Sequence, residues 1–537
     1  MSNYDSWPKE KLITEIKRLK KGKTFGLLWE DKLEDVAELC KTKLPVLVDV
    51  EDKAISDGLH DPTNILIEGD NYHALSVLNY THKGEIDVIC IDPPYNLGGK
   101  DFRYNDRYVE ATDSYKHSMW LSFMHKRLVL AKNLLKPNGV IFININDVEV
   151  AQLKMLLNSI FDENNSYGTI TWINRTKSTN SGKAKRMPQQ NIEYVLMYGR
   201  KNKTDFPGFD LLYSENAKSY PHKGKFGKCR FENLEATDYG RKKRETMKFE
   251  ILGIKPRPGR RWQIGYDEAM NLVKQGKIQI VDGIPKRAVY PEDEEEFSFI
   301  PFWTHLPDAG TAEDAKKELS SILGPDHGFD TVKPLNLIQA LLKRFDKNCV
   351  VLDFFAGSAT TGHAVLAMNA NDKGKRQFIL CTNNENDICS DVCYPRIKKV
   401  MTGYKDSDGQ KIDSLGGKMK YYRTDFVDAD PTDKNKKKLT EMATEMLCLK
   451  EGTFEKVANK KAFKIYKNTN HYTGIIFDQM AIPDFKEAIA KLKGKFSVYV
   501  FSLGDDSFED EFKDIKQKVK LSPIPEVILR VYRRIFK

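Results

Sequence analysis

The residues that follow an apolar run at 86–91 combine an acid, a rigid backbone and an aromatic ring. They are Asp92, Pro93, Pro94 and Tyr95. Proline has no N–H group and its ring fixes φ, so the Pro93 carbonyl is a rigid acceptor. Asp92 adds a second acceptor, and together they suit a planar group that carries an NH₂, such as the exocyclic amine of a nucleobase. The alternative is a strand that ends at prolines, with Asp92 as a helix cap.

A second candidate loop lies at 351–364, with the sequence VLDFFAGSATTGHA. Its pattern predicts a buried strand that ends at Asp353 and a helix that begins near Thr360. The small residues between them would let a ligand approach the backbone closely. The carboxyl ends of parallel strands are the usual ligand position in open α/β sheets. On spacing alone, a tight strand–helix turn without a ligand is an equal alternative.

The glycines of this second loop do not form a nucleotide-binding motif. Gly357 and Gly362 have the spacing of a phosphate-binding P-loop. His363 and Ala364 stand where that motif has its lysine and its hydroxyl residue, so ATP is disfavoured. The dinucleotide fingerprint GxGxxG does not occur in the loop either.

Strands and helices alternate on both sides of a long irregular stretch. Residues 64–80 predict strand, turn and helix, and 119–144 predict a long helix, a Pro-Asn-Gly turn and a strand. Residues 333–345 predict a helix whose apolar face carries Leu337, Ile338, Leu341, Leu342 and Phe345. Such alternation favours a parallel α/β sheet.

The pattern breaks near Thr176 and resumes near 333, which predicts one sheet domain in two chain segments. Two to four domains are expected for 537 residues. The predicted limits are 1–50 for an N-terminal helical extension, 51–172 and 329–402 for the two halves of the sheet, 173–328 for an insert, and 403–537 for a small α/β C-terminal domain.

The positive charge of the chain is concentrated in one segment. The net charge is +10, whereas 175–262 alone holds 22 Lys/Arg against 9 Asp/Glu. A concentrated basic segment favours a polyanionic partner, and a solvated surface is the alternative. Arg260, Arg261 and Trp262 are candidate recognition residues there, with backbone clamping or plain structure as alternatives.

Other features exclude several classes of protein. The eight cysteines are sparse, and the close pair Cys389 and Cys393 has no metal-ligand spacing, so neither a metal site nor a disulfide is expected. No apolar run approaches the length of a membrane span. The first residues lack the apolar core of a secretory signal, which makes the cytoplasm the default location.

Taken together, DPPYN and the downstream DFFAGSATTG resemble the β-class amino-methyltransferases of DNA, which use S-adenosylmethionine. In that class a DNA-recognition insert separates the two loops, as here. The stretches LIEGDNYHAL, FRYNDRYV and PEVILRVYRRIFK are similar to the modification subunits of type III restriction–modification systems. The resemblance implies a Rossmann-like methyltransferase sheet, with the target base bound by 51–172 and the cofactor by 329–402.

The resemblance also implies a role for each loop residue. Asp92, Pro93, Pro94 and Tyr95 would hold a flipped-out base, with the two hydrogens of adenine N6 donated to Asp92 and to the Pro93 carbonyl. The lone pair of N6 would then point toward the methyl donor, in a displacement that demands positioning. The implied cofactor residues are Asp353, Phe355, Ala356, Gly357, Ser358, Lys333, Pro334, Glu385 and Asp70. Ala359 departs from the family pattern, which has a second glycine there.

An aspartate at the first position of the base motif usually accompanies adenine-N6 methylation, which is the reading we adopt. The resemblance further implies double-stranded DNA as substrate, a homodimer, and a helicase–nuclease restriction subunit as partner. Three alternatives stay open: a cytosine-N4 or RNA methyltransferase, a stand-alone DNA methyltransferase without a nuclease partner, and a DNA-binding protein that has lost catalysis.

Overall fold

The computed structural model describes residues 7–10, 12–13, 27–57, 62–98, 102–105, 107–178, 182, 186, 188–215, 219–238, 244–294, 297–469, 471–504, 506 and 508–536. The chain forms two compact units, one of 1–210 with 303–537 and the other of 211–302. The second unit is narrower than the predicted insert of 173–328, because strands on both sides of it belong to the large sheet of the first unit.

A sheet of eleven strands forms the centre of the first unit, among the residues described. Its strands are β1 (Lys43–Asp49), β2 (Ile55–Asp57), β3 (Thr63–Glu68), β4 (Ile86–Ile91), β5 (Leu135–Ile145), β6 (Ser166–Ile173), β7 (Ile192–Gly199), β8 (His305–Leu306), β9 (Val350–Asp353), β10 (Gln377–Thr382) and β11 (Gly417–Asp428). They lie in the order β1-β11-β3-β10-β9-β4-β5-β7-β6-β8, and β2 pairs with β11.

The six strands from β11 to β5 in this order are all parallel, and this block contains both candidate loops. β4 and β9 pair directly, although one precedes the insert and the other follows it. The strands are buried on both faces, as expected for a parallel sheet covered by helices. The prediction of an α/β sheet assembled from two chain segments is therefore confirmed.

Helices cover the sheet and extend into the C-terminal region. In the first unit they are α1 (Asp35–Leu39), α2 (Asn71–Thr81), α3 (Lys116–Leu134), α4 (Val150–Phe161), α5 (Ala312–Leu323), α6 (Leu335–Leu342), α7 (Thr360–Asp372), α8 (Tyr394–Thr402), α9 (Asp433–Met442), α10 (Thr444–Glu451), α11 (Ile482–Ala490) and α12 (Glu526–Ile535). No helix in the described part of the chain is both long and apolar enough to cross a membrane.

Three local predictions differ from the structure. Within the predicted 1–50 helical extension, 43–49 is the edge strand β1, because its apolar residues pack when it pairs antiparallel with β11. β11 itself lies beyond the predicted end of the sheet domain at 402. The predicted turn at Pro-Asn-Gly is wrong: 137–139 lie inside β5, where the pairing with β4 shifts register. Most of the helix predicted at 8–20 falls outside the described residues.

The unit of 211–302 has its own small core. It contains a four-stranded sheet, two two-stranded sheets and the helix Tyr266–Lys274. Trp262 is fully buried in that core and donates its indole N–H to the Phe249 carbonyl at 2.7 Å. Arg260 and Arg261 precede it on the strand Arg260–Trp262. The structural alternative therefore holds for Trp262, which is a core residue and does not face a ligand.

A five-stranded sheet lies near the C-terminus. Its strands are Glu455–Asn459, Phe463–Lys467, His471–Ile476, Lys495–Phe501 and Val519–Ile524. α12 packs its buried Ile528 and Tyr532 into the same core that contains β1 and α2. The C-terminal region is thus continuous with the first unit.

Helix α6 shows the predicted apolar stripe, since Leu337, Ile338, Leu341 and Leu342 are buried. We expect Leu341→Ala to lower the free energy of unfolding by about 2–5 kcal/mol, because the truncation leaves a cavity in a packed core. Asn336→Ala, on the exposed side of the same helix, should change it by less than about 0.5 kcal/mol. Urea denaturation measures both, and equal effects would contradict the assigned helix face.

Candidate active site

A cavity of about 800 Å³ opens at the carboxyl ends of the central parallel strands. Asp92 follows β4, Asp353 ends β9 and Thr382 ends β10, and all three line the cavity. This is the position at which open α/β sheets bind ligands. Both candidate loops therefore face one space, and all the lining residues belong to the first unit.

The Asp92 side chain is held by a lysine from the other chain segment. Lys333 Nζ donates to Asp92 Oδ2 at 2.7 Å. Asp92 Oδ1 is buried and accepts no hydrogen bond from the described residues. Lys333 lies two residues before the first residue of α6, so the packing of that helix positions its backbone. The sequence predicts Lys333 to be a cofactor residue, whereas in the structure its ammonium group lies on the base motif.

The carbonyls of the two prolines differ in their surroundings. The Pro94 carbonyl accepts a hydrogen bond of 2.7 Å from Nε1 of Trp120, a fully buried residue of α3. No hydrogen bond to the Pro93 carbonyl occurs within the described parts of the chain. Trp120 therefore fixes the loop through the Pro94 carbonyl. The Pro93 carbonyl is left as a rigid acceptor for a ligand.

A buried glutamate of β7, two strands away from β4 in the sheet, holds the Tyr95 ring. The Tyr95 hydroxyl donates to Glu193 Oε2 at 2.9 Å, and Asn174 Nδ2 donates to Glu193 Oε1. Lys333 Nζ lies 3.6 Å from Glu193 Oε2 and 4.9 Å from the centroid of the Tyr95 ring. The ammonium thus lies between two carboxylates and over an aromatic face.

Burial and charge act in opposite directions on these groups. Burial lowers the pKa of the Lys333 ammonium, but the carboxylates of Asp92 and Glu193 outweigh it and leave that pKa above its ordinary value. Burial raises the pKa of the Glu193 carboxyl in spite of Lys333, and it raises the pKa of the Tyr95 hydroxyl well above its ordinary value. Lys333 is therefore charged at neutral pH, and Tyr95 is a neutral donor.

The residue after Tyr95 anchors the whole base loop. Asn96 has a left-handed backbone with φ 60 and is fully buried. Its Nδ2 donates to Glu149 Oε1 at 2.6 Å, and the same oxygen lies 2.6 Å from His117 Nδ1. Burial raises the pKa of the Glu149 carboxyl. These contacts join the loop to the start of α3 and to the turn before α4.

The second loop is organised around the carboxyl group of Asp353. Its Oδ1 accepts from the Phe355 backbone N–H at 3.0 Å, and its Oδ2 accepts from Thr361 Oγ1 at 2.7 Å. The side chain is buried, and burial raises its pKa to about 7. Gly357 has φ 47, and a Cβ there would lie 3.3 Å from Phe329 Cζ. The loop therefore leaves its backbone close to the cavity.

The predicted acid Asp70 has two roles in the structure. Its side chain caps α2 by accepting from the Tyr72 N–H at 2.7 Å. It also lines the cavity, and its Oδ1 lies 3.3 Å from Nη2 of the fully buried Arg127. Arg127 pairs with Glu34 at 2.7 Å as well. Asp70 is thus a fixed acid at the cavity wall.

The other acid predicted to bind the cofactor follows the adjacent strand, since β10 pairs directly with β3. Glu385 follows β10 and lines the cavity together with Thr382 and Asn383. Its Oε1 lies 3.0 Å from Nη1 of Arg103, which belongs to the paired strands Arg103–Tyr104 and Arg107–Tyr108. Glu385 is part-exposed, so a ligand hydroxyl can approach it from the cavity.

The lining residues fit S-adenosylmethionine. The cavity volume falls within the range of about 300–1,000 Å³ that is usual for small-molecule sites. Its walls offer two acids for ammonium or hydroxyl groups, Asp70 and Glu385, the aromatic side chain of Phe355, and the backbone of 356–358. Among the residues described, no group of three His, Cys, Asp or Glu side chains is arranged to hold a metal ion.

Comparison with known proteins places the chain in a family. Residues 86–392 match the N6/N4 methyltransferase family model, which is described as DNA methylase. The chain belongs to the DNA methylase family. This match covers both candidate loops and the insert between them.

Individual relatives share 27–31% sequence identity with the chain. The chain is 31% identical over 397 residues to the StyLTI Mod subunit, a type III restriction–modification enzyme of Salmonella typhimurium, covering 67% of this chain and 59% of that protein. It is 29% identical to the EcoPI Mod subunit of Escherichia phage P1, covering 67% and 64%. It is 27% identical to the type II methyltransferase M.KpnI of Klebsiella pneumoniae, covering 65% and 90%. The chain thus spans less than two thirds of the length of the two Mod subunits.

The structure brings together most of the residues that the sequence singled out in this member of the DNA methylase family. The ones that line the cavity are Asp70, Asp92, Pro93, Pro94, Tyr95, Lys333, Asp353, Phe355, Ala356, Gly357, Ser358 and Glu385. Pro334 does not line it and instead precedes the first residue of α6. Their chemical roles remain predictions.

Sequence reasoning missed Glu193, Asn174 and Glu149. One signal for Glu193 was available, since it is the single acid in the apolar strand "IEYVLMYG". Buried acids are rare unless they are paired, so an acid in a strand of that composition indicates a partner.

The raised pKa of Asp353 predicts a stability that depends on pH. Between pH 5 and 7 the folded protein holds a proton that the unfolded chain has released, so the free energy of unfolding falls as the pH rises. Asparagine at 353 does not titrate. The wild type should therefore lose about 3 kcal/mol of unfolding free energy at this group between pH 5 and pH 8, and Asp353→Asn should not. The difference between variant and wild type shifts by that amount in favour of the variant. Urea denaturation at both pH values measures it, and a difference that does not change with pH would refute the assignment.

Proposed function

We propose that this chain transfers a methyl group from S-adenosylmethionine to N6 of adenine in double-stranded DNA. The observation that carries the proposal is the single cavity shared by the base motif at Asp92 and the loop that begins at Asp353. Membership of the DNA methylase family supports the reaction type. The relatives named above support a DNA substrate, since two are Mod subunits of restriction–modification enzymes.

The residues of the chain would orient the amine rather than remove a proton from it beforehand. The two N–H bonds of adenine N6 would be donated to Asp92 and to the Pro93 carbonyl, which leaves the lone pair directed out of the base plane. Tyr95 would stack on the base, and Glu193 and Asn174 would keep its ring in place. When bound, S-adenosylmethionine supplies an electrophilic methyl group. Asp92 would then be placed to accept the proton that the methylated amine loses.

The cavity also dictates the form of the substrate. In a duplex the exocyclic amine is paired and cannot reach a cavity at a strand end, so the base has to be rotated out of the helix. Such rotation requires a firm hold on the flanking phosphates. Basic side chains of 211–302 are the proposed source of that hold.

Exposed lysines of one hairpin support this assignment. Lys223, Lys225 and Lys228 are exposed around the turn between the strands His222–Gly224 and Gly227–Asn233, beside the half-exposed ring of Phe226. The unit as a whole is less basic than the predicted segment, with 18 Lys/Arg against 14 Asp/Glu in 211–302. Arg257 and Arg260 lie at Glu235, so the hairpin lysines are the better candidates for phosphate contacts.

We further propose a restriction subunit as partner and a second copy of the chain as an assistant in site recognition. The likeness to two Mod subunits supports the first, and the family resemblance of the two loops with their single insert supports the second. Co-purification with a helicase–nuclease encoded beside this chain is the expected result.

Loss of Asp92 should abolish the reaction. We expect Asp92→Ala to reduce methyl transfer by about a hundredfold or more, because one of the two acceptors for the amine is lost. Tritium transfer from labelled S-adenosylmethionine to unmethylated DNA measures the rate, and Asp326→Ala, at an exposed loop residue, is the control. A wild-type rate in Asp92→Ala would refute the mechanism.

The methylated nucleoside identifies the base. Digestion of the product should yield 6-methyladenine. Recovery of 4-methylcytosine instead would establish the cytosine-N4 alternative.

DNA binding should depend strongly on salt. We expect the triple substitution of Lys223, Lys225 and Lys228 by glutamine to make the slope of log K against log salt less negative by about 2–3, because each lost phosphate contact removes roughly 0.9. The control replaces the exposed Lys491, Lys493 and Lys495 of the C-terminal region in the same way. Fluorescence anisotropy with duplex DNA measures both slopes. Equal slopes for the two triple variants would remove the hairpin from the DNA interface.

A further inference from the structure

Lys333 occupies the place that the proposed function assigns to the target amine. Its Nζ donates to Asp92 Oδ2 at 2.7 Å and lies 4.9 Å from the centroid of the Tyr95 ring. A base stacked on Tyr95 with its amine on Asp92 would make the same two contacts. We propose that Lys333 is a placeholder for the target amine, and that Glu193 receives its ammonium group when the base enters. This inference rests on the proposed function and adds two positioning residues to it.

The two oxygens of Asp92 are not equivalent, and this favours displacement of Lys333. Oδ1 is shielded from solvent, although 25% of the Asp92 side chain is exposed. Of the two oxygens, only Oδ2 can therefore contribute to that exposure, and Oδ2 carries Lys333. An amine that approaches from the cavity meets the ammonium before it can donate to the acid. If Lys333 instead served only to orient Asp92, the free oxygen would be the one facing the cavity.

Glu193 is placed to take over the ion pair. Its Oε2 lies 3.6 Å from Lys333 Nζ, and the two side chains are 12% and 10% exposed. An unpaired ammonium is costly at such a depth. Tyr95 and Asn174 hold the Glu193 carboxylate in position. A small movement of Nζ from Asp92 toward Glu193 therefore frees Asp92 and keeps the lysine paired throughout.

The exchange would make Asp92 selective for an amine. A base with an exocyclic NH₂ replaces the donor that Lys333 withdraws. Thymine presents a carbonyl oxygen at the corresponding position, so it offers Asp92 no hydrogen there and would set two acceptors against each other once the lysine withdraws. Lys333 and Glu193 would thus favour bases that carry an amine. They would do so by controlling access to Asp92, without contacting that amine themselves.

A double-mutant cycle on Lys333 and Glu193 tests the exchange. Glu193→Gln leaves Asp92 as the remaining anionic partner of Lys333, so we expect kcat/KM for unmethylated DNA to fall about tenfold or more. Lys333→Gln keeps a donor for Asp92 without a charge. In the double variant no buried ammonium needs a partner, so kcat/KM should recover to within about threefold of Lys333→Gln alone.

Two readouts separate this exchange from a structural role or a cofactor role. Binding of S-adenosylmethionine, measured by calorimetry without DNA, should stay within about twofold of wild type in all three variants. Melting temperatures report the fold, and Asp49→Asn is the matched control, since this largely buried acid accepts from Lys420 at 2.6 Å outside the cavity. If Glu193→Gln lowers the melting temperature, Glu193→Asp, which keeps the charge, should retain more activity than Glu193→Gln.

The placeholder is overturned if the double variant is no faster than Glu193→Gln, or if Lys333→Gln loses affinity for S-adenosylmethionine. Either result would make Lys333 a fixed support of Asp92 or a cofactor contact. The proposed function fails differently, since wild-type protein would then transfer no methyl group or Asp92→Ala would keep its rate. Once the wild-type protein is shown to transfer methyl groups, the double-mutant cycle therefore tests the placeholder role alone.

Discussion

The pairing of β9 with β4 is the contact on which the site depends. Val351 lies beside Val88 and Leu352 beside Ile89. The Asp87 side chain reinforces this contact by accepting from the Val350 backbone N–H at 2.8 Å, across 263 positions of sequence. Because the two strands are parallel neighbours, their carboxyl ends meet at one edge, and Asp92 and Asp353 share a cavity. An insert between the two segments is tolerated, since it leaves this pairing untouched.

That edge brings charged groups into a partly dry space, where each group requires a partner. Lys333 lies between Asp92 and Glu193, and Arg127 lies between Glu34 and Asp70. Asp353 has no cation among its hydrogen-bond partners, the Phe355 N–H and the Thr361 hydroxyl, and burial raises its pKa to about 7. In a low dielectric, an unpaired buried charge destabilises the folded protein by more than a buried ion pair stabilises it. The cavity wall is therefore fixed largely by electrostatics.

The sequence supported the fold class and both loops, because each depends on local patterns. An apolar run followed by prolines, or by small residues and a helix, can be recognised without knowing what lies beside it. The partner of each side chain could not be predicted in this way. Glu193 meets Tyr95 and Lys333 only because β7 pairs with β5 on one side and β6 on the other, and no local pattern encodes that neighbourhood.

Composition was the weaker guide for the insert. The same positive charge that indicated a polyanion partner also supplies internal ion pairs, such as those of Arg257 and Arg260 with Glu235. Trp262 follows two arginines in sequence, yet it is a core residue because its strand pairs with Glu235–Thr237 and turns the ring inward. Charge counts cannot separate these uses, since both require the same residue types.

The position of Ala359 resolves the one departure from the family pattern in the cofactor loop. The residue has a left-handed backbone, φ 61 and ψ 31, at the start of α7, which explains why glycine is favoured there. For an alanine this backbone costs roughly 1–2 kcal/mol. The methyl group is fully buried and is not among the atoms that line the cavity. Burial of that methyl group offsets part of the backbone cost, and since Ala359 does not line the cavity, the alanine adds no atom to the cavity wall.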